Sequence, residues 1–165
     1  MPAKNIVKQY EANGYYHIYN RGVEKRQIFC DEADYYKFLR CIEEVLIDLQ
    51  YSHSDRLQMI EIKAFCLMPN HFHILIRQLD ERAMVSFMRR VATKYVMYFN
   101  WKYGRVGSLF QGCYKAVKVV SDDQLNHVAN YIHDNARALG VDPSEYRFSS
   151  KRYYSGELSL PWLRP

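Results

Sequence analysis

Hydrophobic and polar residues repeat with two different periods along the chain, and one of them predicts strands. Residues 15–20 are rich in aromatic and β-branched side chains and stop at Arg21-Gly22, which is typical of a strand followed by a turn. Pro69-Asn70 separates two further β-prone runs and predicts a hairpin. The predicted strands span 15–20, 59–67, 71–77 and 109–120.

Three other segments place apolar residues three and four positions apart, as on one face of a helix. Asp31 is a predicted N-cap of the first helix, and Asp80 of the second. Asp122-Asp123 favours the start of the third, and Gly140 its end. The predicted helices span 31–50, 81–102 and 122–138.

The order strand, helix, hairpin, helix, strand, helix predicts an α+β fold. Two right-handed crossovers onto one antiparallel sheet give a ferredoxin-like sandwich, with helices on one face and an extra C-terminal helix. We find no internal repeat, low-complexity tract or linker, so a single domain is expected over residues 1–165.

A histidine pair lies on the second strand of the predicted hairpin. His71 and His73 are separated by one residue, so both imidazoles point to the same face of the strand, about 7 Å apart by strand rise. Two such imidazoles can share one divalent ion, although two half-exposed histidines on a sheet face would show the same pattern. Asn70 precedes the pair and could orient it.

The last predicted helix carries polar residues at steps of four, which places His127, Tyr131 and Asn135 on one stripe. An amide oxygen of Asn135 could complete a three-ligand site with His71 and His73, leaving coordination positions open for a phosphate oxygen. The phenol of Tyr131 would reach the same phosphate as a nucleophile. An ordinary core tyrosine is the alternative for Tyr131, and we expect His127 to be a surface residue.

Charge and aromatic content favour nucleic acid as the partner. The formal net charge is +5, and many of the 15 Tyr, 8 Phe and 2 Trp sit beside Lys or Arg, a pairing suited to single strands and hairpin ends. We expect some of the basic residues to form a phosphate-binding track. The candidates are Arg21, Lys25, Arg26, Arg89, Arg90, Lys94, Lys115 and Lys118.

The remaining composition bears on the compartment. Four cysteines, at positions 30, 41, 66 and 113, form no CxxC pair and lie among apolar or aromatic neighbours, which predicts buried free thiols in a reducing compartment. No signal peptide is visible and no apolar stretch approaches the length of a membrane span. We therefore expect a cytoplasmic protein with no membrane partner.

Several motifs together resemble the single-tyrosine HUH transposases, in particular their REP-associated tyrosine transposase branch. The resemblance covers roughly residues 15 to 155. The motifs that carry it are Met68-Pro69-Asn70-His71-Phe72-His73-Ile74-Leu75-Ile76, His17-Ile18-Tyr19-Asn20-Arg21-Gly22, Phe87-Met88-Arg89-Arg90, Gly107-Ser108-Leu109-Phe110-Gln111-Gly112 and Tyr131-Ile132-His133-Asp134-Asn135.

The resemblance implies a transposase that cuts and rejoins single-stranded DNA beside hairpins through a 5′-phosphotyrosine intermediate. By the same resemblance, His71 and His73 correspond to the metal-binding histidines, Tyr131 to the nucleophile and Asn135 to the amide ligand, with Mg²⁺ or Mn²⁺ as the expected cofactor. Relatives of this kind act as a monomer or as a homodimer, and both states stay open.

Two positions depart from the family pattern. Asn135-Ala136 stands where Asn-Pro is common, and Cys113 stands where an arginine is common. The first departure lets the helix continue, and the second removes a cation near the expected DNA path. Two other functions fit part of the pattern: a non-catalytic module that binds single-stranded nucleic acid, and a metal-dependent hydrolase in which Tyr131 is only structural.

Overall fold

Strands and helices follow one another in the order that the sequence predicts. In this structure, a computed structural model that describes residues 10–52 and 59–165, three short 3-10 turns accompany them at Val23–Lys25, Asn135–Leu139 and Ser150–Tyr153. The strands are β1 (Tyr15–Arg21), β2 (Ile60–Met68), β3 (His71–Gln78) and β4 (Lys115–Val119). The helices are α1 (Glu32–Ser52), α2 (Ala83–Lys102) and α3 (Asp122–Asp134).

The four strands form one antiparallel sheet in the order β2-β3-β1-β4, with β1 and β3 at its centre. Both neighbours of β3 run antiparallel to it, so β1 and β2 are parallel to each other and are joined through α1. In the same way α2 joins β3 to β4. This connectivity is that of the ferredoxin-like fold, which confirms the predicted fold class.

Helices α1 and α2 cover one face of the sheet and enclose the main core. Phe38 of α1 packs against Phe72 of β3 and Tyr95 of α2, with ring centroids 5.2 and 5.1 Å apart. The Tyr95 hydroxyl donates to the backbone oxygen of Ile28, which satisfies its buried polar group. Ile18 and Ile74 point into the same layer and are fully buried.

Helix α3 and the chain that follows it cover part of the other face. Its buried side chains are Ala129, Ile132 and His133. Ser150, in the C-terminal segment, links this helix to β2: its Oγ accepts from the Phe65 backbone N–H at 2.8 Å and lies 2.7 Å from His133 Nε2. The helix is therefore attached to the sheet through a buried hydroxyl.

The predicted strand over 109–120 is only partly correct, since β4 begins at Lys115. Leu109 and Phe110 are buried, but they lie in a loop that pairs with the end of β1 through a Val23 N–H to Leu109 O bond of 2.9 Å and a bridge between Gly22 and Phe110. Gly112 then takes φ +72°, a left-handed turn that any side chain would strain. Leu109 and Phe110 are apolar because they are buried at the end of β1, and not because they belong to a strand of the sheet.

The cysteine prediction is half correct. All four thiols are free, and Cys41 and Cys66 are buried. Cys30 and Cys113 are exposed, because the first lies just ahead of α1 and the second follows the turn at Gly112. Within residues 10–52 and 59–165, no helix combines the length and the apolar character needed to cross a membrane.

We expect Ser150→Ala to destabilise the fold by about 1–3 kcal/mol, because it leaves the buried Phe65 N–H and the His133 ring without their shared partner. Urea unfolding followed by circular dichroism measures the change. Ser155→Ala is the matched control: this serine is exposed, and its loss should cost less than about 0.5 kcal/mol. Equal effects of the two substitutions would contradict the role of Ser150.

His133 should make stability depend on pH. Burial, with a smaller effect of Lys151, lowers the pKa of His133 to about 4. The unfolded chain binds this proton near pH 6.5, so between about pH 4 and 6.5 it holds more protons than the folded chain, and stability falls as the pH is lowered. We expect His133→Gln to lose less stability than the wild type between pH 7 and 5, by about 2 kcal/mol. Unfolding curves at both pH values test this, and an unchanged pH dependence would refute it.

Candidate metal and DNA site

The two histidines of β3 lie on the face of the sheet opposite α1 and α2. Phe72, the residue between them in the chain, points into the core. Because side chains alternate along a strand, His71 and His73 point to the opposite face. Their ring centroids are 5.2 Å apart. The structure therefore shows the common face that the sequence spacing predicts.

Each of the two rings is held by a hydrogen bond at its Nδ1. His71 Nδ1 lies 2.6 Å from Asn70 Oδ1. His73 Nδ1 lies 2.9 Å from Nε2 of His17, a buried residue of β1. These contacts leave the Nε2 atom of each ring for another partner.

Burial keeps these imidazoles neutral at physiological pH. It lowers the pKa of His73 to about 3, with smaller effects from His17 and His71, and the pKa of His17 to about 4. The pKa of His71 is also lowered by burial, and a hydrogen bond with Asn135 acts in the opposite direction. A neutral imidazole has a free lone pair, which is the form that binds a metal ion.

Helix α3 crosses this face and brings Tyr131 and Asn135 to the histidines. The Tyr131 ring lies edge-on to both His17 and His73, at 5.9 Å between centroids, while 52% of the residue stays exposed. The Asn135 amide nitrogen donates to the backbone oxygens of Tyr131 and Ile132 at 3.0 and 3.3 Å. Its carbonyl oxygen is the remaining polar atom of the side chain, so it is the atom available for the interaction with His71 or for an ion.

The α-helix ends at Asp134, earlier than the predicted end at residue 138, and Asn135 occupies its C-cap. The chain continues as a 3-10 turn to Leu139 and reaches the left-handed Gly140. Asn135 thus lies where the α-helix changes into a 3-10 helix, and the next residue, Ala136, is buried. His127, on the same stripe, is exposed.

The donor set could hold a divalent ion only if a ligand other than His, Cys, Asp or Glu takes part. Among the described residues, no three His, Cys, Asp or Glu side chains are grouped so that they could hold a metal. A site here would therefore combine two imidazole nitrogens with the amide oxygen of Asn135. Such a mixed set leaves coordination positions for phosphate oxygens.

A pocket of about 460 Å³ opens beside His71, and three of the predicted DNA-binding cations line it. They are Arg21, Lys25 and Lys115, and none of the three forms an ion pair with another described residue. The pocket also contains an aromatic ring and several amides. Its lining residues are Tyr19, Asn20, Arg21, Lys25, Asn70, His71, Gln111 and Lys115.

Arg21 is the best placed of these cations. It lies opposite His71 in the pairing of β1 with β3. Its Nε donates to Gln111 Oε1 at 2.6 Å, and the Gln111 backbone N–H donates to Arg21 O at 2.9 Å. Both terminal guanidinium nitrogens can then contact a phosphate next to the histidines.

The structure does not bring the other predicted cations to this pocket. Arg90 and Lys94 of α2 pair with Asp48 and Glu44 of α1 on the opposite side of the sheet, at 2.7 and 3.1 Å. Arg89 lies exposed on the same helix, and Arg26 is exposed after the first 3-10 turn. Lys118 faces away from Lys115, because residues three apart on a strand point to opposite faces. It pairs with Glu11 instead.

Sequence reasoning missed the roles of His17, Tyr19 and Gln111. A usable signal was present for the first two: once β1 is placed beside β3, its alternate positions His17, Tyr19 and Arg21 must share the face of the histidine pair. Gln111 gave no such signal, since its position depends on the loop that was predicted as a strand.

One solved structure supports the same fold, and a second is similar over most of its length. A structure described as a REP-associated tyrosine transposase bound to a REP hairpin matches with a TM-score of 0.68, at 15% identity, over 98% of each chain. A structure from Deinococcus radiodurans R1, assigned as a transposase, matches with a TM-score of 0.44 at 16% identity, over 81% of this chain and 96% of that one. A search of curated proteins gives no match.

The family comparison is decisive. The model of the IS200-like transposase family matches residues 10–135, which include β1, both histidines of β3, Tyr131 and Asn135. That span is well over half of the chain and ends at the candidate amide ligand. This protein belongs to the IS200-like transposase family.

Proposed function

We propose that this protein is a transposase that cuts and rejoins single-stranded DNA through a covalent bond between Tyr131 and a 5′-phosphate. One observation carries the proposal: the exposed Tyr131 ring lies against His73, with Asn135 one turn further along the helix beside His71. A hydroxyl nucleophile, two neutral imidazoles and an amide oxygen therefore meet at one place on the surface. A module that only binds DNA needs none of these groups.

His71 Nε2, His73 Nε2 and Asn135 Oδ1 would hold the divalent ion, Mg²⁺ or Mn²⁺. A bound ion of this kind polarises the scissile phosphate and offsets charge on the leaving oxygen. That help matters here because a phenol is a weak nucleophile at neutral pH.

The chemical step conserves bond energy for rejoining. The Tyr131 phenol loses its proton to solvent, its oxygen forms a bond to phosphorus, and the bond from phosphorus to the 3′ oxygen breaks. The 3′ oxygen then takes up a proton and leaves as a free hydroxyl. Reversal with a different 3′-hydroxyl joins a new strand without an external energy source.

The pocket beside His71 supports a DNA strand as substrate. Arg21, Lys25 and Lys115 provide positive charge for phosphates, and Tyr19 provides a ring on which a base can stack. The similar structure is described as bound to a REP hairpin, so we propose hairpin or palindromic DNA with single-stranded flanks as the substrate class.

Tyr131→Phe should abolish covalent capture of DNA. We expect a labelled hairpin pool with randomised single-stranded flanks, incubated with Mg²⁺ or Mn²⁺, to give a denaturation-resistant adduct with the wild type. The adduct should fall by at least about 1,000-fold in the variant, since no other group replaces the nucleophile. Denaturing gels measure it directly.

Tyr51→Phe is the matched control, because Tyr51 is an exposed tyrosine of α1 and should leave the adduct unchanged. An adduct that survives in Tyr131→Phe would sink the assignment of the nucleophile. DNA cleavage by the wild type without any adduct would instead indicate a metal-dependent hydrolase, and binding without cleavage a non-catalytic module.

Arg21→Ala should weaken DNA binding in a salt-dependent way. If the guanidinium neutralises one phosphate of a single strand, its removal lowers the slope of log K against log salt concentration by about 0.7. Fluorescence anisotropy of the hairpin pool between low and moderate salt measures this slope.

Arg90→Ala is the comparison, since it removes the same charge from the opposite side of the sheet, where Arg90 is paired with Asp48. We expect the slope of this variant to equal that of the wild type. Equal slopes for all three proteins would show that Arg21 does not contact a phosphate. A reduced slope for Arg90→Ala alone would indicate that the DNA binds across α2.

A further inference from the structure

His17 is a buried histidine on β1 that takes no direct part in the proposed reaction. It is 9% exposed, and its Nε2 lies 2.9 Å from His73 Nδ1. The two ring centroids are 5.1 Å apart with the ring planes inclined by 27°. This is the geometry of two imidazoles joined edge to edge through one N–H···N hydrogen bond.

The direction of that hydrogen bond decides which nitrogen of His73 is available. A neutral imidazole carries one N–H donor and one acceptor nitrogen. If His73 donates from Nδ1, its Nε2 has a free lone pair. If His17 donates instead, the proton of His73 is on Nε2, and that atom cannot bind a cation.

His71 shows which of the two arrangements the site uses. Its Nδ1 lies 2.6 Å from the Asn70 amide oxygen, which can only accept, so His71 donates from Nδ1 and keeps a lone pair on Nε2. The Asn70 amide nitrogen is turned toward the backbone oxygen of Lys25, which agrees with this orientation. His73 can act alongside His71 only if it has the same tautomer.

The residues around His17 hold its ring in place, as a fixed hydrogen-bond acceptor for His73 requires. Its ring is enclosed by Tyr19 and Tyr131, with centroids at 5.2 and 5.9 Å. His17 does not join His71 and His73 in a ligand cluster, since the described residues contain no group of three such side chains able to hold a metal. It contacts His73 at Nδ1, whereas the proposed ion would be held by Nε2.

We propose that His17 is a positioning residue: it accepts the Nδ1 proton of His73 and thereby fixes the ring with its Nε2 lone pair toward the ion site. This rests on the proposed function, because it gives His73 the role of a metal ligand. Carboxylates and carbonyl oxygens commonly hold metal-binding histidines in this way, and loss of such a partner typically costs 10–100-fold in metal affinity. Here a second imidazole does so.

Mn²⁺ affinity of the DNA-free protein tests the proposal without any reaction. By isothermal titration calorimetry we expect His17→Phe, which keeps a ring but cannot accept, to bind MnCl₂ about 10–100-fold more weakly than the wild type. His17→Gln offers an amide oxygen near the position of Nε2 and should recover most of the affinity. His127→Phe removes an exposed imidazole from α3 and should leave the affinity unchanged.

The outcomes separate this inference from the proposed function. A wild type that does not bind Mn²⁺ overturns the metal role itself. A wild type that binds, with His17→Phe binding equally well, overturns only the role of His17. If His17→Phe and His17→Gln are both weakened while their melting temperatures match the wild type, an acceptor at this position does not restore the affinity, and the role of His17 as an acceptor is overturned.

Nitrogen-15 NMR of the metal-free protein reads the tautomer directly. Long-range ¹H–¹⁵N correlations should show His73 protonated at Nδ1 and unprotonated at Nε2. In His17→Phe the preference should be lost. A wild-type His73 protonated at Nε2 would refute the proposed direction of the hydrogen bond, whatever the affinity for Mn²⁺.

Discussion

The pairing of β1 with β3 at the centre of the sheet sets the relative positions of the candidate-site residues that these two strands carry. In this register Arg21 lies opposite His71, and Tyr19 lies opposite His73. Because side chains alternate between the two faces, a slip of one residue would turn the β1 residues of the site into the core and bring Ile18 to the surface. The buried aromatic layer under α1 and α2 prevents that slip, so the core fixes the register and the register fixes the site.

The second half of the site comes from α3, which is not part of the sheet. Its place depends on apolar contacts of Ile132 and Ala129 and on the bridge from His133 through Ser150 to Phe65. Two independent attachments, one apolar and one polar, therefore hold the helix that carries Tyr131. Reactions that depend on sub-ångström placement of a nucleophile require this kind of support.

The sequence was sufficient for the fold class because the strands and helices each have a clear period. It was also sufficient to place His71 and His73 on one face, since strand alternation leaves no other choice. Tyr131 and Asn135 were predicted together from helical spacing. Their approach to the histidines could not be derived from local pattern, because it depends on contacts between distant segments.

The errors arose where tertiary contacts replace local order. In the loop before β4, Leu109 and Phe110 are buried because they pack at the end of β1, and a period of two could not reveal that. The same loop delivers Gln111 to Arg21. In α2, charge alone could not show that Arg90 and Lys94 form ion pairs with α1, away from the pocket beside His71. Whether a basic side chain is available to bind DNA can be judged only when the carboxylates around it are known.

The attachment of α3 through Ser150 has a consequence for synthesis of the protein. During translation the N-terminal segments emerge first, so the sheet and both histidines of β3 can assemble while the last residues are still inside the ribosome. Ser150 is added to the chain after all four strands and after α3. A chain that stops before Ser150 therefore carries both histidines of β3 but lacks the hydroxyl that attaches α3 to the sheet.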